Sequence, residues 1–288
     1  STVSGGSVGT AFYLHAPTVL GMQPHVPSGP LDVAIHAKER SIQSSLEAVA
    51  WGMVSRDFWR IPFMNFLPAD PMSDRGRLME DAWRIHSKVG FEKAPKKDQS
   101  ITFNQLRPLI ARGDLPGFIF NASSLEEGKR VPVTPLDMGS TFPRARSLSE
   151  RITGSPSGST LDMDLFTAAR LSATFPFVSP FTRAAGGSMK EATHHLGDGG
   201  YVENYGVASA LEWLQEVLED QRKQKEGERF DRILFIQLRA FPAPAYPPDS
   251  ESGTRAGLMG PLDTLMAARD GNALERNEAE LARFIRQW

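Results

Sequence analysis

Apolar residues recur at every third or fourth position over several stretches of the chain. Ile42, Leu46, Val49, Met53 and Val54 predict an amphipathic helix over 41–59. The same spacing predicts helices over 74–89, 104–112, 161–174 and 207–225, and a mostly helical end from about 262 to 288. Short continuous apolar runs bounded by turn residues predict buried strands. One is 117–122, centred on Phe118, Ile119 and Phe120; the clearest is 232–238, with Ile233, Leu234, Phe235 and Ile236. Further strands are expected over 130–133 and at 194–197. Residues 1–9 read as a strand end entering a Gly-rich turn, with a short apolar helix through 10–14. The stretches 17–30, 139–160 and 241–256, rich in proline, glycine or serine, read as loops.

Strands separated by helices predict an α/β fold with a mainly parallel sheet covered on both faces. Ligands in such folds sit beyond the carboxyl ends of the strands. The Gly-rich turns at 5–9 and 198–200 each come after an expected strand, so both are expected at that edge. Composition narrows the chemistry. The 288 residues are 40% hydrophobic and 23% charged, enough for one sizeable core. A net charge of -2, from 32 Lys+Arg and 34 Asp+Glu, gives no electrostatic reason to expect a nucleic-acid partner. With no cysteine, disulfides, thiolate metal sites and cysteine nucleophiles are excluded.

Gly5-Gly6-Ser7-Val8-Gly9 fits G-x-S-x-G, the turn that presents a nucleophilic serine between a strand and a helix. On this reading Ser7 is the nucleophile. Gly5, Gly6 and Gly9 keep side chains out of a sharp turn, and the Val8 N–H faces the oxyanion. The alternative is a plain tight turn. A serine needs a base, and none of the six histidines lies beyond His195. That argues against the order Ser, Asp, His along the chain. Asp198, with Gly199 and Gly200 after it, is the other candidate: a carboxylate beside a serine can act as general base. A turn is its alternative reading. Asp162 and Asp164 sit at helix starts and read as caps. Trp51, Phe58, Trp59, Phe63 and Phe66 read as core or as an apolar lid.

Together these segments resemble the patatin-like phospholipase family. The similarity rests on Ser4-Gly5-Gly6-Ser7-Val8-Gly9-Thr10, on Phe118 to Ser123 with Glu127-Gly128, on Ala169 to Pro176, and on Leu196 to Asn204, in the family's order. The resemblance implies a three-layer α/β/α sandwich with a Ser7–Asp198 dyad, Asn204 helping to hold the aspartate loop. It implies hydrolysis of lipid acyl esters through an acyl-enzyme, without metal or organic cofactor, and contact with a membrane surface. It implies one catalytic domain over 1–288, with 17–115 as a helical insertion or cap. The family's Gly-rich oxyanion loop precedes the elbow; only six residues precede Ser7, so a preceding strand and loop are expected to be missing from this chain. Two other readings stay open: an esterase with a histidine triad through His194 or His195, and a non-catalytic scaffold.

Overall fold

The computed structural model describes residues 1–15, 30–54, 75–88, 101–138, 145–153, 161–174, 182–183, 195–224, 230, 232–238, 271 and 275–288. The chain enters as strand β1 (Thr2–Val3) and turns at Ser4 into helix α1 (Gly5–Leu14). Three helices come next, α2 (Pro30–Ser41), α3 (Leu46–Gly52) and α4 (Arg75–Lys88), then α5 (Phe103–Ala111). Strands β2 (Phe120–Ser124) and β3 (Lys129–Val133) form a hairpin. Helices α6 (Leu148–Thr153) and α7 (Leu165–Ser172) lead to β4 (Thr182–Arg183) and β5 (His195–Asp198). A 3-10 turn over Gly199–Tyr201 passes into α8 (Val207–Lys223), and α9 covers 275–287.

The helices at 74–89, 104–112, 161–174 and 207–225 are present within a few residues of their expected ends. The helix expected over 41–59 is realised over 46–52; residues 55–59 lie outside the described residues. Ser41 instead ends α2, whose first residue falls at the end of the stretch expected as loop. That residue is Pro30, whose missing N–H costs nothing at a helix start and whose fixed φ suits a helix. Between the two helices, Ser44 Oγ accepts from Leu46 N at 3.2 Å, a local bond that competes with helix continuation.

The sheet is small, open and mixed. β2 pairs parallel with β1 and antiparallel with β3 and β5, and β4 pairs antiparallel with β5. The mainly parallel sheet expected from the sequence is therefore corrected. The reason is local: β2 and β3 are joined by a hairpin, closed at Gly128 with φ 60°, rather than by a crossover helix. Residues 232–238 form no strand; Leu234, Ile236 and Leu238 are exposed, and 234–238 face β1 across a cavity. Their apolar pattern suits a strand, but strand formation needs an edge to pair with.

One hydrophobic core joins the helices to the sheet. It includes Phe12 and Leu14 of α1, Trp83 of α4, Leu106 of α5, Phe120 of β2 and Phe166 of α7. Within it lies a charged cluster. Glu80 is 1% exposed and pairs with Arg84 at 2.9 Å and with Arg170, while Arg84 also reaches Asp164 at 2.5 Å. Burial alone would raise the Glu80 pKa, but Arg170 and Arg84 outweigh it and hold the carboxyl below its ordinary value. This cluster ties α4 to α7.

Replacing Glu80 by Ala removes the carboxylate that two buried guanidinium groups share and is expected to destabilise the fold by about 3–5 kcal/mol in urea unfolding. Because the folded-state pKa lies below the unfolded one, Glu80 stabilises fully above the ordinary glutamate range. That stabilisation is lost as pH falls through the depressed value, so the wild-type and Glu80→Gln stability curves should converge in acid.

Candidate active site

The two turns singled out in the sequence meet, and the topology explains how. β3 pairs with β2 along its whole length, from Phe120 to Ser124, and so occupies one edge of it. β1 and β5 must share the other edge. β1 runs parallel to β2 and ends with Val3 opposite Asn121; β5 runs antiparallel and ends with Asp198 opposite Ala122. Their carboxyl ends therefore point at each other across adjacent residues of one strand. The residue immediately after β1 is Ser4, and its hydroxyl donates to Asp198 Oδ2 at 2.6 Å.

The serine that contacts Asp198 is thus Ser4, and the expected Ser7–Asp198 contact is corrected. Ser4 is the residue at the turn, with φ 53° and ψ -127°, a conformation non-glycine residues rarely adopt. Holding it costs about 1–3 kcal/mol, which surrounding contacts must offset. Ser4 N donates to Ser172 O at 3.2 Å, and Ser4 O accepts from Ser7 N at 2.9 Å. Ser7 lies inside α1 and is 0% exposed, whereas Ser4 is partly exposed and lines the cavity. Ser7 Oγ sits 2.8 Å from Ser172 Oγ and 3.2 Å from Thr2 Oγ1.

Asp198 is 4% exposed and held from several sides. Its Oδ1 accepts from Gly200 N at 2.6 Å, its carbonyl accepts from Ser123 Oγ at 2.8 Å, and its N–H donates to Thr174 O at 3.0 Å. Gly199 passes so close to β2 that an added Cβ would lie 2.1 Å from Asn121 O. Asn204 belongs to the same loop: a Cβ on Gly200 would lie 3.0 Å from its Oδ1. Next to it, Glu203 is 1% exposed; burial raises its pKa despite Arg130 at 3.6 Å.

Val8 N–H, expected to face an oxyanion, points instead to Ser4 O at 3.4 Å within the helix ladder. The first donors of α1 belong to Gly5 and Gly6, which have no intrahelical acceptor. A serine at a helix start normally turns its oxygen back onto such donors. Ser4 makes no such cap, because its hydroxyl is turned to Asp198. The steric need assumed for glycine is absent at Gly5 and Gly9, where a Cβ would meet nothing within 4 Å, and slight at Gly6. All three border a cavity of about 1020 Å³ with Val3, Tyr13, Val207, Leu234 and Leu238 among its walls. The arrangement can activate a hydroxyl, and can receive negative charge at a helix N-terminus.

The other expected residues separate cleanly. Asp164 caps α7 by accepting from Thr167 N at 2.9 Å; Asp162, expected as a cap of the same helix, instead accepts from Asn104 N at 2.9 Å in the first turn of α5. His195 opens β5, three residues from Asp198, and its ring Nδ1 bonds Glu126 at 2.7 Å. That bond favours no triad through His195; His194 lies outside the described residues. Trp51 is 66% exposed; Phe58, Trp59, Phe63 and Phe66 lie outside the described residues. Sequence reasoning passed over Thr2, Ser4 as the turn residue, Asn121, Ser123 and Ser172. The available signal was that the strand ends at Val3, leaving no strand to carry Ser7 to a turn.

No family model, curated protein or solved structure matched the chain.

Gly199→Ala is expected to push the aspartate loop off β2 and destabilise the fold by about 1–3 kcal/mol, read as a drop in melting temperature.

Proposed function

We propose that this chain is a serine acyl-ester hydrolase of the patatin-like type, with Ser4 as nucleophile and Asp198 as base. The observation that carries this reading is the 2.6 Å bond from a strained, cavity-facing Ser4 to a buried Asp198. The resemblance of Leu196 to Asn204 and of Ala169 to Pro176 to that family supports it, as does a sheet with helices packed around it. The three-layer sandwich belongs to the same proposal.

In the reaction, Asp198 takes the Ser4 proton as the hydroxyl attacks an ester carbonyl. The carbonyl oxygen gathers charge beside the Gly5 and Gly6 N–H groups at the start of α1, which stabilise it without reorganisation. The protonated Asp198 returns its proton to the departing alcohol, leaving Ser4 acylated. A water then gives its proton to Asp198 and attacks the acyl carbon, and collapse of that adduct restores both residues. The residues present supply the nucleophile, base and anion donors for this sequence. The apolar wall formed by Val3, Val207, Leu234 and Leu238 suits the acyl part of a lipid ester. Exposed Leu46, Trp51 and Val54 suit contact with a lipid surface.

A fluorophosphonate probe is expected to label the protein at Ser4, with labelling abolished in Ser4→Ala. Asp198→Asn should lower kcat on a soluble short-chain ester by about 10²–10⁴-fold with the fold intact. Labelling of the Ser4→Ala protein rejects the assignment. For the lipid surface, Leu46→Asp combined with Trp51→Asp should reduce co-sedimentation with phosphatidylcholine vesicles at unchanged kcat on the soluble ester; unchanged co-sedimentation rejects that contact.

A further inference from the structure

We infer that Ser7 is a positioning residue, the middle of a directed chain of hydroxyls that locks the strained Ser4 in place; this rests on the reading of Ser4 as nucleophile. The direction comes from proton counting. Ser172 Oγ donates to the Asn121 carbonyl at 2.5 Å, and a carbonyl has no proton to give. The single Ser172 proton is therefore committed. In the 2.8 Å contact between Ser7 and Ser172, Ser7 must donate. Its own proton being spent, Ser7 can only accept in the 3.2 Å contact with Thr2, so Thr2 donates. The order is Thr2 to Ser7 to Ser172 to Asn121 carbonyl.

Each member belongs to a different element beside Ser4. Thr2 lies in β1, two residues before it; Ser7 lies in the first turn of α1, three residues after it. Ser172 ends α7, and its own carbonyl accepts the Ser4 N–H at 3.2 Å. Asn121 lies in β2, opposite Val3, and its carbonyl also abuts Gly199 of the aspartate loop. The chain thus fixes strand, helix and acceptor around Ser4, the one non-glycine residue with a positive φ among the described residues. Ser7 and Ser172 are both 0% exposed, so water does not replace a missing hydroxyl at no cost. Removing the Ser7 hydroxyl takes away the bond from α1 to α7 and lets Ser4 shift relative to Asp198. Displacements of about 1 Å at a reacting atom can cost about 100-fold in rate.

The test compares wild type, Ser7→Ala, Ser172→Ala and the double variant by fluorophosphonate labelling rate, by kcat and KM on a soluble short-chain ester, and by melting temperature. Each single variant is expected to label about 10- to 100-fold more slowly and to lose kcat alike, with KM within about twofold of wild type. The double variant should be no slower than about the slower single, because both cut one chain. Thr2→Val, of similar shape, should show a smaller loss in the same direction; it decides the matter if Ser7→Ala does not fold. A folded Ser7→Ala protein with wild-type labelling, a fully additive double variant, or a loss confined to KM or melting temperature overturns the inference and leaves the dyad standing. A wild-type protein that takes no label, or label mapped to Ser7 itself, overturns the dyad reading and this inference together.

Discussion

Two strands that share one edge of β2 and run toward each other set everything else at this site. β1 and β5 stop opposite neighbouring residues, Asn121 and Ala122, so the chain leaving each must turn away from the sheet at the same place. One turns into α1 at Ser4, the other into the tight turn at Gly199. Register pairing alone thus brings together a hydroxyl and a carboxylate separated by 194 positions. A slip of one residue in either pairing would move a side chain to the opposite face and break the contact. The buried Asn121 is the fixed point of this arrangement. Its side chain donates to Thr2 O at 3.0 Å and accepts from Ser209 Oγ at 2.5 Å, joining β1 and α8 to β2.

The strain at Ser4 and the density of polar bonds around it are two sides of one fact. A backbone with φ 53° persists only where its neighbours leave no easier alternative. Here Ser4 is bonded to the Ser172 carbonyl and the Ser7 N–H, and its partner Asp198 to the Thr174 carbonyl and the Ser123 hydroxyl. Ser172 ends α7 and Thr174 follows two residues later, and the charged cluster of Glu80, Arg84 and Arg170 fixes that helix to α4. The charged cluster therefore bears on how tightly the contact between Ser4 and Asp198 is held.

Much of the fold was legible because helices declare themselves locally. The spacing of apolar residues in 207–225 and 74–89 predicts helices whose ends lie within about two residues of those observed. Strands depend on partners, and here legibility failed. The run at 232–238 carries a strand's composition but has no ladder, and the hairpin at 120–133 replaces the crossover that a parallel sheet requires. At the site, Asp198 was legible from the two glycines after it, since Gly199 must approach β2 closely. The serine that meets Asp198 is misread when glycines are counted. A spacing pattern weighs Ser4 and Ser7 by their neighbours' identities, while the physical requirement is a strand end that passes at once into a helix start. Val3-Ser4-Gly5 meets it; Gly6-Ser7-Val8 lies already within the helix.

Gly5, Gly6 and Gly9 open α1 although no backbone contact demands glycine there, and Gly9, inside the helix, forgoes about 0.5–1 kcal/mol of helix stability relative to alanine. What they preserve is an empty rim. All three border the cavity beside Ser4, and a methyl at Gly5 or Gly9 would meet no atom within 4 Å, so it would take up space there without disturbing the frame beneath. On the reading of Ser4 and Asp198 proposed above, the width of the opening is uncoupled from the contact beneath it: the sieve can be re-meshed while Ser4 and Asp198 stay untouched.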